Sequence, residues 1–119
     1  MPFQVLNTSR NDAVIAAQVE LAATFFSRFL GLMGRAALPE GHGLLIEGCR
    51  SIHMFFMRFP IDVAFLDSHG KVVRALHGIK PWRATRVYLD AQDALELPAG
   101  TLAKTGVQEG DVLRLESSV

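Results

Sequence analysis

The chain has 119 residues, half of them apolar and a fifth charged, with twelve Lys and Arg against twelve Asp and Glu. A chain of that size makes one domain with a core of its own, and the composition excludes an intrinsically disordered protein. Balanced charge argues against a nucleic-acid partner, Arg83 and Arg86 beside Trp82 being too few to reverse that, and a single cysteine, Cys49, excludes a disulfide framework and a cysteine-built zinc site.

Residues 1–10 lack the basic start and apolar core of a secretion signal, so a cytoplasmic location is expected. No apolar run reaches the roughly 18 to 20 residues that cross a bilayer, because Arg28, Arg58 and Asp62 interrupt the candidates. Phe3–Leu6 and Val14–Ala22 read as strands separated by the turn-forming run Asn7 to Asp12. Thr24 can cap a helix over about 25–33, where Phe25, Phe29 and Met33 recur at four-residue spacing. Gly34 ends that helix, and Pro39, Gly41 and Gly43 mark a loop.

Leu44–Glu47 and Ser51–Met57 read as further strands, and Pro60 forces a bend because it has no backbone donor. Ile61–Leu66 and Lys71–Leu76 flank the tight reversal Asp67-Ser68-His69-Gly70 and predict a hairpin. Gly78 to Arg83, with Pro81 and Trp82, reads as loop, and Val87–Ala91 with Ala94–Leu97 predicts a second hairpin around Gln92-Asp93. Thr101 to Thr105 can make a helical turn that Gly106 stops, and Val112–Leu115 is the last strand. About eight short strands with one real helix imply a mainly β fold, a small antiparallel sandwich or barrel, with residues 1–119 as a single domain.

Four ordered blocks resemble the prokaryotic domain-of-unknown-function family 192. They are Arg28-Phe29-Leu30-Gly31-Leu32-Met33-Gly34-Arg35, Gly43-Leu44-Leu45-Ile46 leading to Ser51-Ile52-His53-Met54-Phe55-Phe56-Met57-Arg58-Phe59-Pro60-Ile61-Asp62, then Leu95-Glu96-Leu97-Pro98-Ala99-Gly100, and Gly110-Asp111. The likeness covers about residues 14–115. It implies a small, mainly β fold with a short helix, and it implies no reaction.

The run Cys49 to Asp67 sets polar groups inside an apolar stretch, which makes it the first place to look for function. As a straight strand it would hold Cys49 and His53 roughly 13 Å apart, too far for a nucleophile and base. His42, His53, His69 and His77 have no short ligand spacing, so neither a metal site nor a cofactor is expected. His53 lies in the apolar strand and needs a hydrogen-bond partner or solvent. Arg58 and Asp62 bracket the bend at Pro60 and could form an ion pair that fixes it. Glu96 should project from the face opposite Leu95 and Leu97, toward an arginine such as Arg28, Arg35 or Arg58, or toward a cleft.

These residues support three readings. The first is a binding domain for a small molecule or peptide, with a cleft edged by His53, Arg58 and Glu96 and with Arg35, Ser51, Asp62 and Trp82 as further candidates. A small hydrolytic or transfer enzyme would instead use His53 with Glu96 or Asp62. An interaction domain would present Trp82 on its Pro-containing loop.

Overall fold

Asp62 is the one charged residue in the run Ile61-Asp62-Val63-Ala64-Phe65-Leu66, and a strand with that pattern has to be covered on both faces. The computed structural model describes residues 3–22, 37–54 and 57–117, and in it all six of these residues are buried. They form the central strand β4 (Ile61–Leu66) of a sheet whose other strands are β1 (Phe3–Asn7), β2 (Ala13–Ala22), β3 (His42–Ile46), β5 (Val72–Ile79), β6 (Asp93–Pro98) and β7 (Leu113–Ser117). A 3-10 turn spans Thr8–Arg10, and a one-turn helix, α1, spans Thr101–Thr105.

The strand order is β5-β4-β6-β3-β2-β1-β7. Every neighbouring pair is antiparallel except β2 and β3, which run parallel with Gln18 opposite His42 and Ala22 opposite Ile46. The fold is thus mainly β as expected, with one parallel pair that strand patterns alone did not indicate. The sheet curls into a half-barrel whose edge strands meet at one end. There Lys71 bridges Val112, Val72 N donates to Asp111 O at 2.8 Å, and Leu113 N donates to Gly70 O at 2.9 Å.

Curling gives two cores. The concave side buries Val5, Ile15, Val19, Leu45, Leu95 and Leu97 with Leu102 of α1. The convex side of β3, β4 and β6 buries Leu44, Ile46, Val63, Phe65 and Ala94 beneath Ile52, Met54 and Met57. Each such aliphatic or aromatic side chain contributes about 1.5–3 kcal/mol when taken from water, so the convex cover is a structural layer and not a loose loop.

The reversal at Asp67 to Gly70 forms as predicted, because Asp67 Oδ1 accepts from His69 N at 2.9 Å and from Lys71 N at 3.0 Å. The hairpin expected over 87–97 does not form. Both edges of β6 are taken, by β3 and by β4, so nothing remains for 87–91 to pair with. The strand expected over 51–57 is reduced to a single bridge, His53 to Ala84, with residues 55–56 outside the described ones. The helix expected over about 25–33, and with it Arg35, also lies outside the described residues.

Candidate functional site

Residues 49–54 and 82–92 lie antiparallel to each other on the convex side. Met54 N donates to Arg83 O at 2.6 Å, Trp82 N to Met54 O at 2.8 Å, Thr85 N to Ile52 O at 2.8 Å, Tyr88 N to Arg50 O at 2.8 Å, and Cys49 N to Gln92 O at 2.8 Å. The local chemistry explains which way this ribbon faces. Ile52 and Met54 are apolar and enter the convex core, while Ser51 and His53 alternate with them and are exposed. Opposite them, Tyr88 packs its ring 5.0 Å from that of Phe65 and anchors the second half of the ribbon.

What remains outside is unusual for a neutral protein. Trp82, Val87 and Leu89 are 59%, 62% and 79% exposed. Arg50, Arg58, Lys80, Arg83 and Arg86 are exposed as well, and segments 49–60 and 77–89 contain no Asp or Glu. The remaining seven Lys and Arg share the rest of the chain with all twelve acidic residues. Trp82 also has φ +66, a left-handed conformation that a bulky residue rarely adopts. The backbone bonds of Trp82 and Arg83 to Met54 hold it there.

The other candidates separate. Asp62 is fully buried on the concave side, opposite Leu97, and its carboxylate accepts three backbone amides: Gly78 N at 2.8 Å, Gly100 N at 3.0 Å and Leu102 N at 2.9 Å. It ties β4 to β5 and to the start of α1. The expected Arg58–Asp62 ion pair is therefore absent, since Arg58 is exposed and the carboxylate is engaged elsewhere by backbone. Glu96 projects from the face opposite Leu95 and Leu97, as expected, and is 4% exposed on the convex side between Leu44 and Val63. Glu96 and Asp62 thus occupy opposite faces of one sheet, and His53 sits on the solvent side of the ribbon. Ser51 lends its carbonyl to the Cys49 thiol at 3.0 Å.

A concavity of about 230 Å³ lies away from the ribbon between β2 and α1, lined by Val14, Ala16, Gly41 and Thr101 and crossed by a Lys104–Glu40 ion pair. No group of three or more His, Cys, Asp or Glu is placed to hold a metal ion among the described residues. No helix of the described residues is long and apolar enough to cross a membrane. Sequence reasoning named Trp82, took Arg83 and Arg86 beside it as too few to matter, and did not name Arg50, Val87 or Leu89 as candidates. The available signal was the missing acidic residue over 68–89, which gains meaning only once 49–54 is known to lie alongside.

A family model for DUF192, described as an uncharacterized ACR, matches residues 5–115. The chain belongs to the DUF192 family. Among curated DUF192 relatives, the UPF0127 protein of Pyrococcus furiosus is 38% identical over 112 residues, covering 92% of this chain and 95% of its own. The UPF0127 protein of Thermococcus kodakarensis is 38% identical over 102 residues, and the match takes in 81% of this chain but 63% of that longer protein. A crystal structure of a protein of unknown function from Novosphingobium aromaticivorans superimposes with a TM-score of 0.80 at 22% identity, over 96% of this chain and 84% of its own. A Sinorhizobium meliloti protein, provisionally described as a transcription regulator, also gives 0.80, at 27% identity over 95% and 91%. In this DUF192 chain Ile52, Met54 and Met57 of the second block supply the convex cover and the same block ends in Asp62, while Gly110-Asp111 lies at the seam of the half-barrel.

Proposed function

We propose that this DUF192 chain is a recognition module that binds a partner protein through its convex ribbon, with Trp82 as the anchor. The observation that carries this reading is the concentration of exposed Trp82, Val87 and Leu89 on one backbone-paired segment. Trp and Arg are the side chains that most often dominate binding energy at protein interfaces, and apolar patches rimmed by polar groups mark such sites. A left-handed tryptophan fits the same reading, because backbone strain concentrates where a side chain must be presented.

A small-molecule cleft edged by His53, Arg58 and Glu96 is supported less well, since Glu96 is buried while the other two are exposed. The enzyme alternative loses Asp62, whose carboxylate accepts three amides on the other face. A cytoplasmic setting belongs to the same proposal, in keeping with the single half-buried thiol of Cys49, and fractionation of cells making the tagged full chain checks it.

The test is partner capture by the immobilised chain, comparing wild type with Trp82→Ala and with Lys104→Ala at the distant cleft. A specific partner should be lost with Trp82→Ala and kept with Lys104→Ala. Capture that is indifferent to Trp82 would remove the ribbon from the interface.

A further inference from the structure

The charge of the ribbon identifies what it recognises, granted the surface proposed above: we infer that the partner presents an acidic polypeptide segment bearing at least one large apolar side chain. Arg58, Lys80, Arg83 and Arg86 are exposed, and none is ion-paired to a described carboxylate. Arg50 donates to the Ala91 carbonyl at 3.0 Å and stays exposed. Asp90, the one acidic residue of the ribbon, is 3.9 Å from Arg74, whose guanidinium also lies over the Tyr88 ring at 5.3 Å. The cations of the ribbon are thus left for an outside anion.

The distribution of charge along the chain reinforces the sign. Segments 49–60 and 77–89 hold five of the twelve basic residues and none of the acidic ones, so cations are in excess there although the net charge of the chain is zero. A local excess of cations steers an acidic segment to the ribbon.

A protein is favoured over a nucleic acid by the apolar part of the patch. Val87 and Leu89, 62% and 79% exposed, have neither a stacking face nor a hydrogen-bond donor for a base or phosphate. They do have the character of a shallow seat for aliphatic and aromatic side chains.

The experiment uses the full chain and a displayed library of random peptides of about twelve residues, ~40 Å when extended and enough to cross the molecule. The inference expects a selected pool enriched in Asp and Glu together with Leu, Phe or Trp. Binding of a selected peptide, measured by fluorescence anisotropy, should weaken roughly tenfold or more from low to high salt. It should be lost in the double variant Arg83→Glu/Arg86→Glu and in Trp82→Gly, which suits the left-handed backbone and so keeps the fold. A neutral or basic pool that still depends on Trp82 overturns the acidic partner and leaves the recognition surface standing. Random single-stranded DNA binding more tightly than the selected peptides overturns the inference in favour of nucleic acid. No enrichment over the Trp82→Gly chain, or a pool indifferent to all three substitutions, overturns both the inference and the surface.

Discussion

Gly70 and Leu113 meet backbone to backbone where the half-barrel closes: Leu113 N donates to Gly70 O at 2.9 Å, and a Cβ on Gly70 would lie 2.5 Å from Leu113 O. Gly70 also has φ +80, where any side chain is strained. Both the turn and the seam therefore need glycine at this one position. Gly70→Ala should destabilise the chain by about 2–4 kcal/mol, combining left-handed strain with displacement of β7. Urea unfolding of the two proteins measures it, and a loss near zero would mean that the seam is not part of the folded state.

Asp62 is expected to be structural. Removing its carboxylate orphans the buried amide of Leu102, at about 1–3 kcal/mol, and the partly buried amides of Gly78 and Gly100, at less each. Asp62→Ala should therefore lose about 3 kcal/mol or more by chemical denaturation. Exposed Arg58→Ala should stay within about 0.5 kcal/mol. Equal losses for the two would revive the ion pair between them.

Acid should weaken the seam through Asp111. Burial raises its pKa, but hydrogen bonds from Arg10 Nε at 2.7 Å, Asn7 Nδ2 at 2.9 Å and the Gln108 amide at 3.0 Å outweigh burial and bring it below the ordinary value of 3.8. A carboxyl whose folded pKa is depressed contributes stability that is fully present above the unfolded value. That contribution declines as pH falls below about 4 and is gone once pH passes below the folded value. Asp67 shifts the same way, chiefly through the Lys71 amide, so it adds to the same limb. Asp111→Asn should lower stability at neutral pH and flatten the acid limb, which unfolding midpoints from pH 7 to pH 2 would show. An unchanged acid slope in Asp111→Asn would assign the limb to Asp67 and other carboxylates.

Backbone strain at Trp82 makes an uncommon pair of outcomes testable together. At φ +66 glycine has no steric penalty, so Trp82→Gly should be more stable than Trp82→Ala by about 1 kcal/mol in thermal unfolding. Neither variant should retain partner capture. If alanine proves the more stable of the two, the left-handed conformation is not what the protein adopts in solution.

Met54 and Leu89 lie on partnered stretches of the ribbon with opposite duties. Met54 is fully buried in the convex core, and Met54→Ala should cost about 2–4 kcal/mol. Leu89, 79% exposed, should change stability by no more than about 0.5 kcal/mol on conversion to Ser, while weakening partner binding. Denaturation and binding assays on the two variants separate scaffold from surface.

The parts legible in the sequence were those whose causes lie within a few residues. Asp67 and Gly70 form their reversal from their own side-chain and backbone chemistry, and Gly106 stops α1 with a left-handed cap. The runs 61–66 and 71–76 around that reversal identified a hairpin, and the four ordered blocks identified the family. Only the tertiary structure decided the rest, because its causes are far apart in the chain. Asp62 meets amides 16, 38 and 40 residues away, so no local window distinguishes a structural carboxylate from a catalytic one. Occupied edges on β6 turned an expected hairpin into a ribbon over the convex core. The ribbon pairs the backbone of Arg50 with that of Tyr88 and so joins it to the segment that carries Arg83 and Arg86, a pair that by itself looked too few to matter. Charge becomes a recognition surface when side chains share a face, and strand pairing, not sequence distance, sets which ones do.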